Sequence, residues 1–588
     1  MDSKHVTEST SGQEDIQKTW WKEAIIYQIY PRSFQDSDGD GIGDLNGITS
    51  RLDYIQSLGV DIIWLNPIFL SPNDDNGYDI SDYREIMREF GTMEDFDRLL
   101  KEIHKREMRL VLDLVVNHTS DEHPWFEEAR KSRHNPYYNY YHWWPAEKGE
   151  PPLRLSYFDE EGNAWTYNKP TDSYYLHYFS RKQPDLNWEN PEVRQEIFDM
   201  MRFWFDKGID GFRMDSISLI AKDPSFPLID SKKYPDIFSF YAKEPRLHLY
   251  LHEMNRQVLS KYDCMSVGEG SAVMVDDVAK FVDPAREELN MLYHFDAARI
   301  RNTTLPDNPE SGIDYSLIAL KKMFTEWDKA VDKGWPSIYL SNHDQPRMVS
   351  RFGSDKDEFR ALSTKMLITF LLTMRGTPYW FAGDEIGMRN IRFDRIEDYN
   401  DIDTINRYKK AKAEGKDPQA VLDEQKETGR DNARTPFQWD RSPEAGFTAG
   451  TPWLKVNPDY TWINVTDEEK DPTSILNYFK KVVSFRKENP SLIYGSYHLL
   501  DAENPQSYTF LRKTGADTYL IMLNFSPKAA ISTPGIDMSN AHVLLDNYGD
   551  RSHMAPQKDI TLRPFEAIVF QLNHPVYESF IDSLDLLE

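Results

Sequence analysis

The sequence predicts an α/β fold: a (β/α)8 TIM barrel with a small domain inserted after strand 3 and an antiparallel β domain at the C-terminal end. Two observations carry this prediction. Apolar, strand-like runs alternate with helical patterns along most of the chain, and eight such runs occur before residue 495. Beyond that point apolar residues recur with a period of two, which is typical of half-buried antiparallel strands.

The barrel elements have clear boundaries in the sequence. The helix after the second strand begins at Thr92, with Asp95 three residues on as a capping-box partner. The helix before the fourth strand has Asn190 as its cap, Pro191 at its first position and Gly208 as its stop. The eight predicted strands are Ala24 to Tyr30, Val60 to Leu65, Arg109 to Val116, Gly208 to Asp215, Met265 to Val267, Met291 to Phe295, Ser337 to Leu340 and Thr377 to Phe381.

Two long insertions interrupt the alternation. The first is rich in aromatic residues and too long for an ordinary loop, so we expect a small domain above the barrel. The second, roughly Met388 to Trp439, is charged and partly helical. We therefore divide the chain into a first barrel part with an N-terminal tail at 1–118, an inserted domain at 119–184, a second barrel part at 185–494 and a β domain at 495–588.

Composition limits the possible partners and the cellular compartment. The 97 acidic and 69 basic residues give a net charge of -28, which argues against nucleic acid or an anionic membrane as a partner. The single cysteine, Cys264, permits no intramolecular disulfide, and no apolar run has the length of a signal-peptide core or a membrane span. We expect a cytoplasmic protein that binds a neutral or cationic small ligand; its oligomeric state is left open.

Charged side chains follow four of the predicted strands, at the end of the barrel where enzymes place catalytic groups. Asp215, Glu269 and Asp344 are carboxylates that this topology brings to one mouth. Individually each could belong to a structural ion pair or a capped turn. Together they resemble the paired carboxylates of glycoside hydrolysis, in which one is ionised and the other protonated. We expect Arg213 to keep Asp215 ionised, whereas Glu269 has no basic neighbour in the sequence and is the candidate acid.

The segments DLVVNH, GFRMD, GEG and NHDQP, in this order and spacing, resemble glycoside hydrolase family 13, the α-amylase family. The segments IYQIYPRSF, NGYDISDY, QPDLNWENP and RDNARTPFQWD resemble its oligo-1,6-glucosidase and α-glucosidase branch. The resemblance implies Asp215 as nucleophile, Glu269 as acid/base and Asp344 as a third carboxylate that holds sugar hydroxyls. It also implies a pocket for a terminal, non-reducing glucose, formed by Asp79, His118, Arg213, His343 and Arg430.

An acidic loop follows the first strand. Its alternating carboxylates and central glycine match a calcium loop in ligand type and spacing, although the twelfth position is Gly47 and not a bidentate glutamate. The alternative is a solvated acidic turn. The family carries a structural calcium ion in this loop, so the resemblance implies Ca2+ ligands at Asp36, Asp38, Asp40, the Ile42 carbonyl and Asp44.

Ser216 follows the expected nucleophile and departs from the pattern of the branch. Members that prefer α-1,6 bonds usually carry valine there, whereas α-1,4 enzymes carry alanine or threonine, so a small polar residue leaves an isomaltase activity open to question. The segments GEGSAV and FDEEGNAW also differ from the branch, on the side of the leaving group. We include Ser216 among the substrate-binding residues.

Three functions fit these features to different degrees. The favoured one is a retaining, exo-acting α-glucosidase that releases terminal glucose from maltose-, sucrose- or isomaltose-type substrates through a covalent glucosyl-enzyme. A sucrose isomerase or transglucosidase on the same scaffold is the alternative, since only the attacking group differs. The third, a non-enzymatic relative of the amylase-like heavy chains of amino-acid transporters, is disfavoured, because all three carboxylates are kept and no anchor segment is apparent.

Overall fold

The structure is a computed structural model that describes residues 18–158, 162–234, 236–515, 517–538, 540–551 and 558–572. Within these ranges, eight parallel strands form the expected barrel. They are β1 Ile26–Ile29, β2 Ile62–Leu65, β3 Arg109–Val115, β4 Gly211–Asp215, β5 Met265–Glu269, β6 Met291–Tyr293, β7 Ser337–Ile338 and β8 Thr377–Phe381. Each lies in or beside a segment predicted as a strand.

The order of the strands in the sheet is β6-β5-β4-β3-β2-β1-β8-β7, and each strand is hydrogen-bonded to its neighbours in this order. Side-chain hydrogen bonds link β6 to β7 and close the barrel: the Ser337 hydroxyl donates to the Leu292 carbonyl at 2.6 Å, and the Tyr339 hydroxyl donates to the His294 carbonyl. The interior is apolar, with residues such as Trp64 and Val267 fully buried.

The principal barrel helices are Leu45–Ser50, Leu52–Ser57, Met93–Lys105, Pro191–Lys207, Arg246–Gln257, Asp296–Thr303, Leu317–Ala330, Arg360–Thr373 and Ile475–Glu488. The expected capping box of Thr92 and Asp95 is present, and so is the Asn190 cap. Gly208 ends its helix with a φ of 108°, a conformation that a side chain would disfavour. That turn delivers the chain directly into β4.

Both expected insertions have structures of their own. The first contains a three-stranded antiparallel sheet of Trp143–Pro145, Trp165–Asn168 and Ser173–Leu176. The second contains the helices Ile402–Ala413, Pro418–Thr428 and Asp431–Arg434. The sequence segment FDEEGNAW includes residues 159–161, which lie outside the described residues.

The C-terminal part is an antiparallel β structure, as expected. Its five-stranded sheet contains Ser496–Leu500, Ser507–Thr514, Asp517–Asn524, Ala567–Leu572 and His542–Asp546, and Ala530–Ser532 pairs with Ile560–Leu562. Lys321 of the barrel fixes this part by donating to the carbonyls of Asp501, Asn504 and Ser507 at 3.1, 2.8 and 3.2 Å. Among the described helices, none combines the length and apolarity needed to cross a membrane.

Candidate active site

A single arginine lies beneath the mouth of the barrel. Alternation along β3 and β4 turns Asp113, Arg213 and Asp215 towards the barrel interior. Arg213 Nη1 donates to Asp113 Oδ1 and to Asp215 Oδ1, both at 2.8 Å, and Nη2 donates to Glu269 Oε2. The guanidinium is fully buried and therefore bridges the two expected catalytic carboxylates. Glu269 has no basic neighbour in the sequence, but β5 lies beside β4 and brings Glu269 to the same arginine.

The surroundings of Asp215 shift its pKa. Burial raises the pKa of Asp215 well above its usual range, and the nearby charge of Glu269 raises it further. Arg213 opposes both effects but is shared among three carboxylates. The expectation that Arg213 keeps Asp215 ionised is therefore not met, because burial and the charge of Glu269 outweigh the shared guanidinium.

Asp344 forms another wall and has the opposite environment. Its carboxylate accepts hydrogen bonds from Arg430 at 3.2 Å and Arg434 at 3.0 Å, and His343 Nε2 lies 3.1 Å away. Burial alone would raise the pKa of Asp344, but His343, Arg430 and Arg434 outweigh it and hold the pKa well below its usual range. This environment favours the ionised form of Asp344, which can then accept hydrogen bonds.

The carboxylates open into a pocket at the carboxyl ends of the strands. Of the residues expected from the sequence, His118, Asp215, Ser216, Glu269, Asp344 and Arg430 line this pocket. Arg213 and His343 lie directly behind it: Arg213 contacts the carboxylate pair, and His343 Nε2 lies 2.7 Å from the Tyr78 hydroxyl. Ser216 has a φ of 41°, an uncommon left-handed conformation that places it beside Asp215.

Asp79 does not line the pocket, which corrects its expected role. It is fully buried, and its carboxylate accepts the main-chain N–H groups of Asp74 at 2.8 Å and Asp75 at 3.0 Å. It thereby shapes the loop that presents Asp75 to the pocket. Asp75 accepts a hydrogen bond from Arg430 at 3.3 Å and another from Gln183 at 3.1 Å. Asp75, and not Asp79, therefore lies in the pocket wall.

His118 is held by a buried lysine that the sequence did not single out. Lys222 donates to Asn117 Oδ1 at 2.6 Å and pairs with Asp185 at 3.1 Å. Because an ammonium group only donates, the amide nitrogen of Asn117 faces His118 Nδ1, at 3.1 Å. His118 therefore carries its proton on Nε2, 3.1 Å from the Tyr78 carbonyl, and burial lowers its pKa to about 3.

Three aromatic pocket residues were also missed: Tyr78, Phe158 and Phe179. Tyr78 lies in the expected segment NGYDISDY, one residue from Asp79, so that segment carried a usable signal. Phe158 and Phe179 belong to an insertion with many similar aromatic residues, and nothing in the local pattern distinguishes them from core residues.

The acidic loop has the donors that a calcium ion prefers. Carboxylate oxygens of Asp36, Asp38 and Asp40 all lie within 4.8 Å of one another. Burial raises the pKa of Asp40, and the neighbouring carboxylates add to this, a repulsion that a cation would relieve. Two of the carboxylates also hold the loop itself: Asp44 accepts hydrogen bonds from the Ser37 N–H, the Ser37 hydroxyl and the Gly47 N–H, and Asp36 accepts from the N–H groups of Asp38, Gly39 and Gly41 and from the Thr448 hydroxyl. Asp36, Asp38 and Asp40 are thus clustered in the way that a calcium loop requires.

Comparison with known proteins agrees with this site. Residues 28–495 match the family model described as the catalytic domain of α-amylase. An oligo-1,6-glucosidase of Parageobacillus thermoglucosidasius is 51% identical over 571 residues, which cover 95% of this chain and 100% of the relative.

Two solved structures extend the likeness to the whole fold. An isomaltulose synthase from Klebsiella is 42% identical with a TM-score of 0.90, covering 95% of this chain and 100% of the other. A trehalulose synthase from Pseudomonas mesoacidophila is 42% identical with a TM-score of 0.89, covering 94% and 99%. With the eight-stranded barrel, the three carboxylates at its mouth and these matches, the chain belongs to the α-amylase family, glycoside hydrolase family 13, in its oligo-1,6-glucosidase and α-glucosidase branch.

Proposed function

We propose that this glycoside hydrolase is a retaining, exo-acting α-glucosidase that releases terminal, non-reducing glucose from small α-glucosides. The observation that best supports this proposal is that one guanidinium, that of Arg213, contacts both Asp215 and Glu269. Such a bridge favours a separation of roughly 5 to 5.5 Å between the carboxyl groups, as in retaining enzymes, over the wider spacing that admits a water molecule.

The proposed reaction has two steps. Asp215 attacks the anomeric carbon while Glu269 donates its proton to the glycosidic oxygen, so the bond to the leaving sugar breaks and a glucosyl ester forms on Asp215. Glu269, now ionised, removes a proton from water, whose oxygen attacks the anomeric carbon and releases Asp215. The first step needs Asp215 ionised and Glu269 protonated.

The rest of the pocket supports a terminal glucose. Asp344, held ionised by Arg430 and Arg434, is an acceptor for sugar hydroxyls whose hydrogen bonds strengthen in the transition state. The pair of Asp75 and Arg430 lies across the pocket and supports closure beyond the bound sugar. A closed inner end favours exo-acting over endo-acting cleavage.

The anomeric form of the first sugar released tests the proposal. Proton NMR during maltose hydrolysis should show α-glucose from the non-reducing end before mutarotation. Early β-glucose from that end would exclude a covalent glucosyl-enzyme and the role of Asp215 as nucleophile.

Sucrose isomerisation or transglucosylation is the second candidate. It is supported by the likeness to isomaltulose and trehalulose synthases, the latter also solved with sucrose as its substrate. Separate incubations with sucrose, maltose and isomaltose, followed by chromatography of the products, distinguish the two. We expect glucose and fructose from sucrose; accumulation of an isomeric disaccharide would favour the second candidate.

We also propose that Asp36, Asp38 and Asp40 hold a structural calcium ion, with the Ile42 carbonyl and Asp44 completing the site. The clustered carboxylates support this. The ion would stabilise the connection after β1 and take no part in the reaction. A cytoplasmic location remains part of the proposal, supported by the single cysteine, Cys264.

A further inference from the structure

A hydrogen bond joins the two insertions beside the pocket. Asn406, on the helix Ile402–Ala413, donates from Nδ2 to the main-chain carbonyl of Phe158 at 2.6 Å. Because a carbonyl oxygen only accepts, the donor face of this amide must point towards Phe158. The contact joins residues that are 248 positions apart in the chain.

The side chain of Phe158 forms part of the pocket wall. The guanidinium carbon of Arg430 lies 4.8 Å from the centre of its ring, and the ring of Phe179 lies 5.5 Å away. All three residues line the pocket that contains Asp215 and Glu269. A displacement of Phe158 would therefore change the wall against which a bound sugar packs.

The helix that bears Asn406 also holds Arg430, whose guanidinium lies over the ring of Phe158. Asp401 caps the helix with Oδ2, which accepts from the Thr404 N–H at 2.9 Å. Its Oδ1 accepts from Arg430 Nε at 2.6 Å. The start of one helix thus fixes Arg430, and its next turn fixes the backbone of Phe158.

We propose that Asn406 is a positioning residue that sets substrate affinity and leaving-group preference by holding Phe158 against Arg430. The proposal rests on the proposed glucosidase function and adds a determinant remote from the reacting atoms. Asn406 acts on binding, because its contact is to the wall and not to Asp215, Glu269 or Asp344.

Asn406→Asp tests the role with almost no change in shape. It replaces the donor by a carboxylate that repels the Phe158 carbonyl. We expect KM for maltose and isomaltose to rise about tenfold, with kcat changed by less than about threefold and the ratio of the two specificities altered. Arg407→Ala is the matched control: Arg407 is the next residue, pairs with Glu424 at 2.7 Å and stabilises the same helix pair.

A double-mutant cycle with Phe158→Ala shows whether Asn406 acts through Phe158. In the Phe158→Ala background, Asn406→Asp should have almost no further effect on KM. Additive effects, an unchanged KM in Asn406→Asp, or an equal effect of Arg407→Ala would overturn the proposal.

The glucosidase function and the positioning role of Asn406 can be disproved separately. If the unmodified protein hydrolyses none of the three disaccharides, the proposed function fails. The positioning role is then decided by calorimetric affinity for glucose, which must be weaker in Asn406→Asp than in Arg407→Ala. Equal affinities, or no binding, would overturn it.

Discussion

At the scale of single residues, the geometry of the proposed catalytic pair depends on Arg213. Its guanidinium contacts Asp113, Asp215 and Glu269, so one positive charge is shared by three carboxylates in a fully buried position. Because this charge is shared, it does not offset the burial and the charge of Glu269 that raise the pKa of Asp215.

Asp215→Asn and Glu269→Gln should each abolish turnover while preserving the fold. Each change is nearly isosteric and replaces a buried carboxyl group, and in the case of Asp215 burial already raises the pKa of that group. We expect kcat to fall by at least about 10³-fold with an unchanged or higher melting temperature. Near-normal activity in either variant, measured with an aryl α-glucoside and maltose, would show that the site is elsewhere.

Ser216 should influence the preferred linkage. The unmodified enzyme is expected to accept α-1,4 or sucrose-type bonds at least as well as α-1,6 bonds, because serine leaves space beside Asp215. Ser216→Val should shift preference towards isomaltose by roughly 1 to 3 kcal/mol in transition-state free energy. It should also lose stability, since valine tolerates the φ of 41° poorly.

The measurement is kcat/KM for maltose, sucrose and isomaltose, with Ser216→Ala as the control that adds no branched side chain. The prediction is wrong if the unmodified enzyme strongly prefers isomaltose, or if Ser216→Val leaves the ratios of kcat/KM among the three substrates unchanged. Either result would show that the GEGSAV and FDEEGNAW segments determine the preferred linkage.

At the scale of elements, the acidic loop after β1 should respond to chelation. Removing a bound calcium ion would leave Asp36, Asp38 and Asp40 close together and uncompensated. We expect EDTA to lower the melting temperature by several degrees, and added CaCl2 to restore it. Asp38→Asn should be less stable and insensitive to EDTA. No difference between chelated and calcium-loaded protein would contradict the calcium assignment.

The helix Pro124–Ala129 should lose stability in acid through its cap. His123 Nδ1 accepts the Trp125 N–H, and burial lowers the pKa of His123 to about 3. Below the unfolded-state pKa of about 6.5, the unfolded chain binds the extra proton, so stability is lost as pH falls from 6.5 towards 3.

His123→Asn keeps an acceptor at this cap but does not titrate. The free energy of unfolding of the unmodified protein, relative to the variant, should fall by about 2 kcal/mol between pH 7.5 and pH 5. Chemical denaturation at the two pH values measures it. A constant difference would mean that His123 is not held neutral by burial.

At the scale of the whole molecule, Lys321 should connect the barrel to the C-terminal β structure. It is fully buried and donates to three carbonyls of the segment 501–507. Lys321→Met leaves those carbonyls without their donor, at a cost of about 1 to 3 kcal/mol for each buried group left unsatisfied. We expect a lower melting temperature and faster hydrogen exchange around residue 507.

Lys322→Met on the same helix is the control, because Lys322 is exposed and pairs only loosely with Glu326, at 3.7 Å. Equal effects of the two substitutions would show that Lys321 does not link the two parts.

The sequence by itself determined the eight strands, the order of the insertions and the identity of the three carboxylates. Those features follow from local rules: apolar periodicity, caps such as Asn190, and the strand ends where charges collect. The position of His118 at the end of β3 was predictable for the same reason.

Tertiary structure alone decided which groups meet. Pairing of β4 with β5 brings Arg213 to Glu269, although 56 residues separate them. A hydrogen-bonded loop turns Asp75, and not Asp79, towards the pocket. Asn406 reaches Phe158 across two insertions. Sequence spacing carries no information on such contacts, because they form between side chains brought together by packing of distant segments, and their protonation depends on the burial that this packing creates.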